Sequence, residues 1–190
     1  MSLLSLISVI APSLVAPAHA GGIGILATGG MHLEKIYFYD DNDSQFLQKQ
    51  YPSNYGLGGV AILGDRDDRI LGVMKFFYQA DTAPDPALVT DPDVTFAVRE
   101  ETRQLGIATA GIQWGLLGDP NGFQAGLVTH FGAGVVTVDN TEFLVAEVGP
   151  MATYTMGTLQ VFAEVNGQAR FRKSLYYGGS GYLGVRYLFD

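Results

Sequence analysis

The 190-residue sequence contains no cysteine, a single tryptophan and only 16% charged residues. Without thiols, neither a disulfide framework nor a thiolate metal site is available to it. Eleven Lys and Arg against nineteen Asp and Glu leave a net charge of −8, the opposite of the basic footprint that nucleic-acid binding requires. After residue 20 there is no apolar run approaching the length of a spanning helix, about 20 residues. No helix-period segment of useful length occurs either. Disulfide scaffolds, nucleic-acid binders and helical membrane proteins are thereby excluded.

The first twenty residues, MSLLSLISVIAPSLVAPAHA, carry no charged side chain and have a central apolar run with small residues at Ala18 and Ala20. An A-x-A site followed by Gly21 is how a secretory signal peptide ends. Pro12, Pro17 and the short length argue against a membrane anchor. The expected division is a signal peptide over 1–20 and one domain over 21–190, roughly 170 residues long.

Within that domain the apolar residues recur with a period of two, which predicts about eight strands. Near the C-terminus, Leu159, Val161, Ala163, Val165, Ala169 and Phe171 share one face. Gln160, Glu164, Asn166, Gln168, Arg170 and Arg172 share the other, with Phe162 the exception. Phe123, Ala125, Leu127, Phe131, Ala133 and Val135 oppose Gln124, Gly126, His130, Gly132 and Gly134. Ile70, Met74, Phe76 and Tyr78 oppose Lys75, Gln79 and Asp81, and Leu144, Ala146, Val148, Ala152, Tyr154 and Met156 oppose Glu147, Thr153 and Thr155. The first two strands, near 22–38 and 53–64, alternate less cleanly.

A sheet with one apolar and one polar face is either a soluble barrel, apolar face inward, or a membrane barrel, apolar face to lipid. The polar face here is rich in glycine and carries isolated charges such as Lys75, Glu147, Glu164 and Arg186. A narrow interior needs small side chains and paired ions, so the pattern favours an all-β, closed, antiparallel, up-and-down transmembrane barrel. Connection lengths agree. Leu63–Arg69, Gly118–Gly122 and Thr155–Thr158 are short links, whereas the segments from Asp40 to Asn54 and from Asp81 to Asp93 read as long acidic loops; the link at Asp139–Glu142 is short and the one around Lys173–Gly181 intermediate. Outer-membrane barrels have short periplasmic turns and longer outer loops.

The last residues, Leu183 to Phe189, resemble the terminal strand of small OmpA/OmpX-like outer-membrane barrels, with Gly184, Arg186, Tyr187 and Phe189 in the family's G-x-R-Y-x-F pattern. The resemblance implies eight strands, an outer-membrane location in a Gram-negative cell, and a terminal strand read by the barrel-assembly machinery. Asp190, after the last aromatic, departs from the pattern. Trp114, Tyr154, Tyr187 and Phe189 are expected in the lower aromatic girdle, with Tyr37, Tyr39, Tyr55 and Tyr78 in the upper one.

The charges expected inside are Lys75, Glu147, Glu164, Arg170 and Arg186, together with the polar His130. Buried charges need partners, and such pairs plug a barrel or gate a narrow pore. No nucleophile lies near His130 in sequence, so it reads as a lumen residue and no catalytic residue is assigned. Small barrels of this size include lipid A-modifying enzymes, which makes an enzyme the remoter alternative. Asp40–Asp43 lacks the glycine and distal Glu of a calcium loop, so no metal and no cofactor is expected. A strand over Thr95–Gly118 would be twice the 9–11 residues a crossing needs, projecting Arg99, Glu100, Glu101 and Arg103 outside. The expected protein is a non-enzymatic outer-membrane barrel with a structural or surface-interaction role, and the alternative is a narrow conduit. Its expected partners are lipid, lipopolysaccharide, the assembly machinery and a surface or envelope protein. A secreted barrel of lipocalin type would need an early Gly-x-Trp, and the single Trp is Trp114.

Overall fold

The computed structural model describes residues 21–40, 43–82, 102–137, 140–171 and 175–189. They form eight strands: β1 (Gly21–Asp40), β2 (Asp43–Leu63), β3 (Ile70–Asp81), β4 (Arg103–Gly118), β5 (Phe123–Val136), β6 (Thr141–Met156), β7 (Leu159–Phe171) and β8 (Leu175–Phe189). Each pairs antiparallel with the next, and β8 returns to β1 from Gly21↔Phe189 to Lys35↔Leu175. The result is a closed up-and-down barrel. Closure leaves no unpaired edge around the ring.

Period-two alternation sorts the side chains as the sequence pattern requires. On β3, Leu71, Val73, Lys75, Phe77, Gln79 and Asp81 are buried inside, and Ile70, Phe76 and Tyr78 are exposed outside. On β7 nearly the whole inward face is polar: Gln160, Glu164, Asn166, Gln168 and Arg170, with the ring of Phe162 among them. Leu26, Val60, Ile62, Leu71, Val73, Phe77, Leu105, Ile107 and Val145 form an apolar cluster inside the barrel. Outside, apolar residues are exposed on every strand, among them Ile25 (70%), Leu57 (72%) and Val165 (68%). Of the charged strand residues whose side chains are described, all but Glu142 point inward.

Two single-residue irregularities interrupt this order. Between β1 and β2, Gly30 pairs with Asn54 but His32 pairs with Tyr51, so β2 carries one extra residue at Pro52–Ser53. Between β4 and β5, Gly115 pairs with Gly126 but Leu117 pairs with Ala125, and both Leu116 and Leu117 end up exposed. Proline has no N–H to give a ladder, and bulges are where strands accept it. Pro150 has a related effect: β6–β7 pairing runs to Val148↔Gly167 and resumes at Met151↔Glu164.

Several glycines pair with an aromatic residue of the neighbouring strand. Gly58 pairs with Phe77, Gly134 with Phe143 and Gly184 with Phe162. A Cβ at Gly134 or Gly184 would run into the partner ring. The rings fill space that a second side chain would otherwise contest, so a narrow interior holds large aromatics without expanding.

The short links gather at one end. Arg66 Nε donates to Asn121 Oδ1 (2.9 Å), Asn121 in turn donates to Asp67, and Thr155 Oγ1 donates to the Pro120 carbonyl (2.7 Å). Three turns are thus tied into one base. Gly118 begins the second of these links at φ 86°, a left-handed value that costs glycine little.

The opposite rim differs from the sequence-based expectation in two places. The stretch from Asp43 onward, expected to be a loop, continues β2, and the β1–β2 ladder runs to Asp40↔Asp43. Above Lys35↔Leu175 and Asn54↔Asp81 it stands as a two-stranded ribbon beyond the ring. Backbone pairing needs no apolar face, so its polar composition hid it. β4 begins at Arg103 and is 16 residues long; Arg99, Glu100 and Glu101 lie outside the described residues. Arg103 lies at the mouth of the barrel, 3.7 Å from Glu34.

Candidate functional site: the barrel lumen

The lumen is organised in tiers of polar side chains, several of which cross its full width. In a ring of eight strands, β3 stands opposite β7, and β4 opposite β8. Lys75 on β3 meets Glu164 on β7, and Asp81 on β3 accepts from Arg170 Nη1 on β7 at 2.9 Å. Arg186 Nη2 on β8 donates to Gln113 Oε1 on β4 at 3.0 Å. Arg103 on β4 donates to the Tyr176 hydroxyl on β8. All four contacts join opposite walls.

The middle tier centres on Lys75. Besides Glu164, its ammonium lies 4.0 Å from Glu147 Oε2 and 3.6 Å from the centre of the Tyr182 ring, whose negative face attracts a cation. Glu147 also accepts from the Tyr182 hydroxyl and the Gln168 amide, and Asn166 donates to Glu164 at 3.2 Å. His130 Nδ1 lies 3.6 Å from Glu147 Oε2, and neither ring nitrogen makes a hydrogen bond with a described residue.

Above it, Gln168 Oε1 accepts from Arg170 Nε at 2.8 Å and faces His32 Nε2. An amide oxygen only accepts, so His32 carries its proton on Nε2. Its Nδ1 then accepts from Asn54 Nδ2 at 2.6 Å. Gln79 Nε2 donates to Asp81 at 2.6 Å. At the mouth, the Tyr51 hydroxyl donates to Glu34 at 2.8 Å, and Arg103 lies 3.7 Å from the same carboxylate and over the Tyr51 ring.

The lowest tier is a separate set. Arg186 Nε donates to Gln160 Oε1 (2.6 Å), Gln160 Nε2 to Thr155 Oγ1 (2.7 Å), and the guanidinium lies over the face of the Phe162 ring. Of the six lumen residues expected from sequence, Lys75, His130, Glu147 and Glu164 share one tier. Arg170 joins that tier through Gln168, and Arg186 lies apart in the base.

The inward charged residues described are Glu34, Asp81, Glu147 and Glu164 against Lys75, Arg103, Arg170 and Arg186, four of each sign. Tyr51 escaped the sequence reading because the segment from Asp40 to Asn54 reads as a loop, whereas Glu34 on β1 and Tyr176 on β8 keep the unbroken phase of their strands and were not singled out. Asp81 was legible as a polar-face residue, yet its link to Arg170 spans 89 positions and has no local signal.

Fold and lumen together define a small, closed, eight-stranded antiparallel barrel with a charge-balanced interior and an apolar exterior. No protein-family model and no curated protein matches the sequence. Among solved structures, the N-terminal β-barrel domain of Pseudomonas aeruginosa OprF aligns with 86% of this chain and 98% of its own. The two share 15% identity at a TM-score of 0.40.

Proposed function

We propose that this protein is a non-enzymatic outer-membrane barrel of the small OmpA/OmpX-like type, with a structural or surface-interaction role. The observation that carries this reading is the segregation of charge. Apolar side chains are exposed on the outside of every strand, while the charged strand residues whose side chains are described, Glu142 excepted, point inward. Soluble monomers rarely expose contiguous apolar patches beyond a few hundred Å², and in hydrocarbon a sheet must close to satisfy its backbone. Exposed Tyr154, Tyr187 and Phe189 near the base, and Tyr55 and Tyr78 toward the rim, suit headgroup depth. Trp114 is half-buried, and the side chains of Tyr37 and Tyr39 lie outside those described.

In this reading residues 1–20 are removed on export, and Gly184, Arg186, Tyr187 and Phe189 form the signal for the assembly machinery. The transverse contacts plug the lumen, and the rim, with its β1–β2 ribbon, meets lipopolysaccharide or a surface or envelope protein. Planar-bilayer recording of purified protein tests the plug: a silent bilayer is the expected result, and stable single-channel steps would favour a narrow conduit. Unchanged lipid A mass spectra with and without the protein would set aside the enzyme alternative.

A further inference from the structure

Above Ser53, β2 has a described neighbour on one side only. Its ladder with β1 runs up to Asp40↔Asp43, whereas on the other side the last contact with β3 is the bond from Thr82 N to the Ser53 carbonyl (2.9 Å). In an extended strand alternate N–H groups point to the same side. Thr82 turns its N–H toward β2, so the next donors in that direction would come from residues 84 and 86, and both are proline. The chain leaving β3 therefore lacks the N–H groups needed to continue the ladder. Among the described residues, the upper edge of β2 is left open, and an open edge is a template for strand addition.

That edge is complementary to itself. Residues 43–53 carry one anion, Asp43, and one cation, Lys49, with Phe46 three positions from each. If two such edges pair antiparallel about Phe46, Asp43 of each copy stands opposite the partner's Lys49. Ser44 then faces Gln48, Gln45 faces Leu47, and Phe46 faces its own counterpart. Opposite charges directly across a ladder attract, and like charges repel. A parallel pair in register would set Asp43 against Asp43 and Lys49 against Lys49. Barrel strands tilt by about 35–45° from the axis, so in one membrane the β2 strands of two copies both descend toward the bilayer and cannot run antiparallel. Copies standing in two facing membranes can.

We infer that the β1–β2 ribbon is a homophilic adhesion element, which pairs through residues 43–49 of β2 with the same segment of a second copy held in an opposing membrane. The opposing membranes rest on the outer-membrane reading above; the pairing of the two edges does not.

The test uses purified protein in detergent and in two populations of phosphatidylcholine vesicles. Light scattering should show clustering when both populations carry the protein. Lys49→Asp and Asp43→Lys each set like charges opposite one another, and each should weaken self-association at least about tenfold. Mixed together, these two variants are complementary again, and clustering should return. Because the chain has no cysteine, Phe46→Cys should give an intermolecular disulfide, whereas Ser44→Cys, four positions from its counterpart, should not. All of these positions lie above the ring, so heat-modifiable folding should match that of the native protein. Inserted native protein that leaves vesicles dispersed, clustering that survives Lys49→Asp, or mixed variants that fail to recover would overturn the inference. Clustering with protein-free vesicles would overturn it too, by making lipid the occupant. Failure to insert at all would instead count against the outer-membrane reading, and sedimentation and cross-linking in detergent would still decide the pairing.

Discussion

Lys75 and Glu164 are 89 positions apart in sequence and meet across the barrel from strands four places apart in a ring of eight. Removing one partner of a buried pair leaves a charge without compensation, which costs more than the pair contributes. Lys75→Met should therefore lower unfolding free energy by about 3–5 kcal/mol. Urea titration in micelles, read by the single tryptophan Trp114, measures it. In a double-mutant cycle with Glu164→Gln, the two losses should fall short of additivity. Strict additivity would mean that the cross-lumen contact contributes nothing.

Ile25 is 70% exposed on β1 and pairs with Gly59 and Val185 in the middle of the outer face. In water, an arginine there would be harmless. Facing lipid, Ile25→Arg should cost about 2–4 kcal/mol and lower the yield of protein folded into vesicles. Equal refolding of variant and wild type would place that face in water.

The Phe143 ring covers Gly134 from the neighbouring strand. Gly134→Val should destabilise by about 1–3 kcal/mol through overpacking. Adding Phe143→Ala should recover part of the loss, because the two side chains contest one volume. A double variant less stable than either single one would refute that account.

Tyr187 and Phe189 face outward on β8, where they pair with Ile23 and Gly21. Tyr187→Ala together with Phe189→Ala should reduce heat-modifiable, folded protein in cells far more than it slows refolding into vesicles. Asp190 lies outside the described residues. Its deletion should leave the folded fraction unchanged, and a marked drop would make it part of the assembly signal.

Where the pleat was uninterrupted, the sequence was a sufficient guide. On β3, β5, β6 and β7 the alternation of single residues named the inward face, including the exception at Phe162, which is inside and 1% exposed. On β2 it reached only the part from about residue 53 downward, and the additional residue beside Pro52 marks where the regular register ends. The β1–β2 ribbon is not legible in the sequence either, because its polar composition carries no period-two signal. Contacts such as Arg170–Asp81 follow from ring closure, a property of all eight strands that no local window contains.

The extra residue at Pro52–Ser53 works as a phase correction. Below it, even-numbered residues of β2 from Asn54 to Ile62 face the lumen; above it, Tyr51 does. Deleting one residue there would turn the upper strand over, swing the phenol out of the mouth, and deprive Glu34 of its hydroxyl and Arg103 of the ring beside it. Residues removed from higher in the ribbon leave the spacing from Tyr51 to Asn54 unchanged and that mouth cluster intact. The rim can therefore vary in length without rewiring the interior.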